Sequence, residues 1–177
     1  DGTPFAGNEV RVVTEQSEAV LGVEGDLQCR GSLLFAGYVQ GRELTEGSWD
    51  GSWFKTGDRA VMNDDGSIRI TGRSKDIIIR GGENIPVKEV EDLLLRHPQV
   101  LGVAIVGKPD ERLGETGCAF VIAADKSPTL DALTEFLEVE GVTRQFWPED
   151  LVLVEEFPMT PSGKVQKYKL REEFLAK

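Results

Sequence analysis

Histidine occurs once and cysteine only twice in this chain of 177 residues, which leaves little for a His/Cys metal clip or a disulfide framework. Cys29 and Cys118 stand far apart, without metal-clip spacing. Two such thiols fit buried, reduced side chains of a cytoplasmic protein. The lone His97 precedes Pro98 at an expected helix end and reads as a structural capping residue. Long apolar runs are missing too. Nothing approaches the roughly 20 residues a membrane-spanning helix requires, and no basic segment leading into an apolar one opens the sequence. Basic residues are in deficit, 20 Lys and Arg against 31 Asp and Glu, for a formal charge of −11. That deficit argues against nucleic-acid partners, whose binding depends on cations displacing phosphate counterions. A small anionic ligand needs only a few local cations and stays open.

What is present is an ordinary globular balance, 40% hydrophobic and 29% charged, enough to bury a core. The first 70 residues read as β structure. Residues 9–13 (EVRVV) alternate polar and apolar, residues 26–35 (DLQCRGSLLF) form a strand or pair broken at Gly31, and residues 59–62 and 67–71 flank Asn63-Asp64-Asp65-Gly66. Asp-Gly between two such runs signals a hairpin, because Gly accepts the positive φ of the turn. After Gly72 the pattern becomes mixed. Residues 76–80 (DIIIR), 100–106, 118–123 and 151–154 read as strands. Val87, Val90, Leu93 and Leu94 share one helical face, with Pro86 at the first helical position and Pro98 beyond the end. Leu130, Leu133, Phe136 and Leu137 make a second amphipathic helix ended by Gly141, and residues 169–175 a short terminal one. There are no repeats. The expected class is α+β: a β-rich piece over residues 1–73, then over residues 74–177 a small mixed domain with a three-stranded central sheet and flanking helices. Because Asp1 leads almost directly into strand, the chain is expected to be a piece of a longer protein.

Three segments could carry chemistry. In residues 54–58 (FKTGD), Asp58 follows a glycine turn; a carboxylate so held can accept hydrogen bonds from a vicinal diol, or simply cap the turn. Residues 72–84 combine Gly72-Arg73-Ser74-Lys75-Asp76 with Arg80-Gly81-Gly82-Glu83-Asn84. Arg73 offers a planar fork to oxygen acceptors and the paired glycines allow close backbone approach, but a solvated turn between domains would look the same. In residues 158–164 (PMTPSGK), Lys164 ends a Pro/Ser/Gly loop from which its charge could reach a developing oxyanion, or merely face solvent.

The order of these segments is more specific than any one of them. FKTGD resembles the TGD motif of the adenylate-forming superfamily, which includes acyl- and aryl-CoA ligases, luciferases and peptide-synthetase adenylation domains. Residues 72–91 (GRSKDIIIRGGENIPVKEVE) resemble that family's hinge motif, PMTPSGK its P-x-T-x-x-G-K motif, and residues 25–38 (GDLQCRGSLLFAGY) the run preceding TGD. The resemblance spans nearly the whole chain.

It implies the end of a large adenylation domain (residues 1–73) followed by a mobile lid (residues 74–177). In such enzymes a carboxylic acid and ATP, with Mg, give an acyl-adenylate, which the thiol of coenzyme A then attacks. On this resemblance Asp58 and Arg73 face the nucleotide, Lys75 is the hinge, Lys164 is the catalytic lysine, and Gly81, Gly82 and Glu83 line the pantetheine tunnel. The implied partners are a small carboxylic acid, ATP and CoA, with most of the ATP and Mg site outside this chain and the fragment alone inactive. Two alternatives are an aryl-acid enzyme loading a carrier-protein phosphopantetheine and a non-catalytic lid-like binding module. There are two departures. The hinge holds Lys75 where many members have Asp. Phe146 stands two residues before Pro148, where many have Lys; Lys167 or Arg171 could replace that cation, and Phe146 with Trp147 could stack on adenine or pack in the core.

Overall fold

The computed structural model describes residues 2–14, 21–37, 39–40, 43–44 and 46–175; side chains are described for all of these except 39, 40, 43, 44, 46 and 173–175. Tyr38, at the end of one motif, lies outside the described residues. The chain divides into two compact units, Asp1–Lys75 and Asp76–Lys177.

The first unit contains β1 (Asn8–Val13), β2 (Glu24–Gly31), β3 (Val39–Gln40), β4 (Glu43–Leu44), β5 (Trp49–Asp50), β6 (Trp53–Met62) and β7 (Ile68–Arg73). Its main sheet runs β1-β2-β6, with β5 and β7 pairing with successive parts of β6, while β3 and β4 form a separate short ribbon. All of these pairings are antiparallel. The expected Asp-Gly turn joins β6 to β7. Gly66 adopts φ +78°, its N–H donates to the Asn63 carbonyl at 3.0 Å, and the Asp65 carboxylate accepts from the Ser67 N–H at 2.9 Å. Alternation in β1, β2 and β6 buries Val12, Leu27 and Ala60, with Val10, Met62 and Ile68 packed around them.

The second unit contains β8 (Ile78–Arg80), β9 (Glu83–Ile85), α1 (Val87–Leu94), β10 (Val100–Asp110), β11 (Gly114–Ala123), α2 (Leu130–Val139), β12 (Asp150–Leu153) and α3 (Lys167–Leu175). The sheet order is β10-β11-β8-β9, and β12 lies parallel to β11. The sheet therefore has five strands, not the expected three. The extra pairing comes from the β8–β9 hairpin, whose second strand, Glu-Asn-Ile, is too short and polar to show a period. Pro86, expected as the first helical residue, is instead the N-cap, and α1 begins one place later at Val87.

Because β10 and β11 are covered on both faces, they read as nearly continuous apolar runs. Ile105, Ala119 and Val121 pack with α1 and α2 residues Val87, Val90, Leu94, Leu133 and Leu137. The alternate residues Ala104, Val106, Cys118 and Phe120 pack with Leu170 of α3. Helix α2 begins where the Thr129 side chain accepts from the Ala132 N–H at 3.2 Å and stops near Gly141, at φ +79°. His97 is structural, as expected. It is nearly buried and edge-on to Phe136, its Nδ1 accepts from the Gln99 N–H, and burial lowers its pKa below the usual histidine value.

Candidate functional site

The first place is in the β-rich unit. Asp58 and Arg73 are direct cross-strand partners on β6 and β7, and Arg73 Nε lies 2.9 Å from Asp58 Oδ1. The Thr56 hydroxyl accepts from the Asp58 N–H at 3.0 Å while donating to the Leu27 carbonyl at 2.9 Å. Gly57 between them adopts φ +75°, and a Cβ there would lie 3.7 Å from Arg73 Nη2. Asp58 is thus fixed from its own backbone, from β2 through Thr56 and from β7 through Arg73. Its second oxygen makes no hydrogen bond to the described residues. Such a carboxylate can still accept from a ligand hydroxyl.

In the second unit, Gly81 (φ +60°) and Gly82 (φ +87°) turn the chain from β8 into β9, a pair of positive φ values that other residues adopt only with strain. The Gly81 N–H donates to the Leu113 carbonyl at 2.7 Å. Arg80 donates from Nη1 to the Gln145 carbonyl at 3.1 Å and ion-pairs with Glu149, and the Gln145 side chain donates to Glu83. The glycine turn is therefore tied on both sides to the segment around residues 145–149. Phe146 and Trp147 of that segment pack against the main core, and Trp147 Nε1 donates to the Val142 carbonyl at 2.9 Å. Of the two options for this pair, the geometry favours core packing over stacking on a ligand. Lys75 is exposed, in a short 3-10 turn (Ser74–Asp76) at the junction between units.

The third place is the loop ending at Lys164. The Thr160 N–H donates to the Lys164 carbonyl at 2.8 Å, the Lys164 N–H to the Thr160 hydroxyl at 3.0 Å, and the Gly163 N–H to the Thr160 carbonyl at 2.9 Å. Below this, Met159 and Val165 form a β-bridge and the Gln166 N–H donates to the Pro158 carbonyl at 2.7 Å. The loop is a closed, narrow-necked turn with Lys164 exposed. Among the described residues, no carboxylate pairs with its ammonium. Lys167 and Arg171, the two cations considered as replacements at Phe146, are both engaged. Lys167 lies 2.7 Å from Glu91 and Arg171 2.8 Å from Glu115, which counts against either replacing the cation missing at Phe146.

Residues 89–164 match the family model of the AMP-binding enzyme C-terminal domain. The sequence is 42% identical over 179 residues to the medium-chain fatty-acid–CoA ligase of Escherichia coli (strain K12), covering 99% of this chain and 32% of that protein. It is 43% identical over 156 residues to the mitochondrial medium-chain acyl-CoA ligase ACSF2 of Mus musculus, covering 86% of this chain and 25% of that one. The fold matches ATP-bound MatB from Rhodopseudomonas palustris with a TM-score of 0.89 at 29% identity, over 98% of this chain and 35% of the other. The chain belongs to the adenylate-forming enzymes. It spans between a quarter and a third of the length of the curated relatives it matches.

Membership does not itself assign roles, and the geometry adds residues that sequence reading of the adenylate-forming pattern left out. Glu91 is nearly buried, and one of its oxygens accepts both the Ile105 N–H at 2.6 Å and the Lys167 ammonium. Its signal was available. Positions 87, 90, 91 and 94 form one i, i+3, i+4, i+7 stripe, so a glutamate at 91 is a charge on the apolar face. Thr56, which links Asp58 to β2, had no such signal. Among the described residues, no helix is long and apolar enough to cross a membrane.

Proposed function

We propose that this chain is the C-terminal part of an ATP-dependent carboxylic acid–CoA ligase, with residues 1–73 closing the large adenylation domain and residues 74–177 forming a mobile lid that turns at Lys75. The observation carrying this reading is Lys164, an ammonium without a carboxylate partner among the described residues, at the tip of a closed turn. In the first half-reaction a carboxylate oxygen attacks the α-phosphorus of ATP, forming the acyl–phosphate bond as pyrophosphate leaves. Negative charge gathers on the phosphoryl oxygens, and Lys164 offsets it while bridging them to the acid. Asp58, already oriented by Thr56 and Arg73, accepts from the ribose hydroxyls, and Arg73 faces the same nucleotide. In the second half-reaction the CoA thiol, losing its proton, attacks the acyl carbonyl and AMP leaves. The lid then presents Gly81, Gly82 and Glu83 to the pantetheine arm, where the missing side chains allow close passage.

Several aspects of this reading extend beyond the chain. ATP and CoA use is supported by the names of the relatives, and a medium-chain or smaller aliphatic acid by the same names. A cytoplasmic setting accords with the free thiols of Cys29 and Cys118. Among the described residues, no group of three His, Cys, Asp or Glu could hold a metal ion. Magnesium is ordinarily held by one or two carboxylates together with the substrate phosphates, its site is placed mainly outside this chain, and no step here runs through it. A second reading, loading of a carrier-protein thiol, is kept because one relative, the pseudomonine synthase PmsE of Pseudomonas entomophila, 38% identical over 166 residues, is not named as a CoA ligase. Acid-dependent pyrophosphate exchange by the full-length enzyme, followed by thioester formation with CoA and with a carrier protein in parallel, tests both readings. The expected result is exchange with aliphatic acids and transfer to CoA. Exchange by the 177 residues alone, or no exchange by the full-length enzyme with any acid, would overturn the proposal.

A further inference from the structure

Lys167 is the first residue of α3, where the helix dipole places positive charge and disfavours a cation. Helix stability therefore gives no reason for a lysine there. Glu91 is equally unexpected on the buried stripe of α1, because glutamates are rarely buried unless paired. The two meet at 2.7 Å, with side-chain exposures of 21% for Lys167 and 12% for Glu91. The shared Glu91 oxygen also accepts the Ile105 N–H of β10, which in the sheet order has only β11 beside it. An ion pair this far from solvent gains little net stability over an apolar pair of the same shape. What it does set is position, because the ammonium, the carboxylate and the strand amide must all meet at one point.

That point lies at the root of the Lys164 loop. The Lys169 N–H donates to the Gln166 carbonyl, the Gln166 N–H to the Pro158 carbonyl, and the Met159–Val165 bridge and the Thr160–Lys164 hydrogen bonds continue the ladder up to the catalytic position. Leu170, 1% exposed, pins α3 to the core one turn further along. Leu170 seats the helix, while Lys167 fixes its first turn and the direction in which the ladder leaves it. Arg171, the i+4 neighbour, pairs with Glu115, whose other oxygen accepts the Ile79 N–H at 3.2 Å. That second pair also anchors α3, but to β8 and one helical turn further along the chain from the loop.

We infer that Lys167 and Glu91 are positioning residues that aim the Lys164 loop for adenylation. The inference rests on the proposed role of Lys164. It requires the pair to matter only in the half-reaction in which Lys164 acts, since a general structural role would touch both. The test uses the full-length ligase and measures two rates separately: pyrophosphate exchange, and thioester formation from chemically prepared acyl-adenylate. K167M and E91Q are expected to lower the kcat of exchange about tenfold, as misplacement of a charge by a fraction of an ångström does, with the thioester rate and the melting temperature little changed. E91Q keeps an acceptor for the Ile105 amide, so folding is protected. K167R, which keeps the ion pair, is expected to recover most of the loss, and R171Q should not reproduce the selective pattern. Equal loss in both half-reactions, no loss in either, or the same selective loss from R171Q would overturn the inference. K164A is the control: if it leaves exchange intact, the parent reading fails, whereas a normal K164A defect with unaffected K167M and E91Q sinks only the positioning claim.

Discussion

Asp58 and Lys164 carry the two charges that matter most to the proposed chemistry, and they are held in opposite ways. Asp58 sits within a strand, ion-paired to Arg73 across the ladder and locked from below by Thr56. Lys164 sits on a turn whose backbone is closed by hydrogen bonds across its neck while its side chain meets no carboxylate among the described residues. In the first case the side chain is fixed and waits for a ligand; in the second the backbone is fixed and the charge is left free. The difference fits the timing of the two tasks. A ribose can stay bound through both half-reactions, so a preset acceptor suits it, whereas a charge needed in only one step is better carried on a stiff arm with an uncommitted tip.

This contrast can be broken at several points. On the Asp58 side, the largest effect is expected from D58A in the full-length enzyme. It removes the preset acceptor and should lower kcat/KM for ATP on the order of a hundredfold, chiefly through KM, measured by pyrophosphate exchange at varied ATP. A change confined to kcat would mean that Asp58 does more than hold the nucleotide. Next comes R73Q, which leaves Asp58 in place without its aligning partner and should raise the KM for ATP by about threefold to tenfold. Because this pair is half exposed, with side-chain exposures of 48% and 34%, the melting curve should shift by no more than the equivalent of about 1 kcal/mol. A larger shift would recast the pair as a structural strut.

The smallest effect concerns the thiols. Burial pushes the Cys118 thiol up to about 12, and also raises Cys29 from its ordinary value. Since the thiolate is the reacting form, iodoacetamide at mildly alkaline pH should leave Cys118 unmodified in the folded chain and label Cys29 slowly, with both labelled after denaturation. Rapid labelling of Cys118, followed by mass spectrometry, would show that the sheet between α1, α2 and α3 opens readily.

How much of this was legible in the sequence varies by element. The β6–β7 hairpin was readable because Asp65-Gly66 supplies the positive φ at the turn. Helix α2 was readable because an apolar period runs from Leu130 to a terminating Gly141. Strand β9 was not, since three residues ending in an isoleucine before Pro86 carry no alternation, and the sheet was therefore undercounted. Neither periodicity nor spacing separated Asp58 from a turn cap or Lys164 from a surface lysine; the proposed roles of both rest on the ordered motifs, through resemblance. Glu91 shows the opposite failure. Its place on the buried stripe of α1 was visible, but what it would pair with depends on α3 coming back to the edge of β10, a contact across 76 residues of chain that local patterns do not encode.

The most direct test of the account is the ratio of the two half-reaction rates in the K164A enzyme. If Lys164 supplies charge only as the acid is joined to the nucleotide, adenylation should fall on the order of 10²- to 10³-fold, and thioester formation from preformed adenylate by no more than about threefold. Losses of similar size in the two rates, or no loss in either, would contradict it.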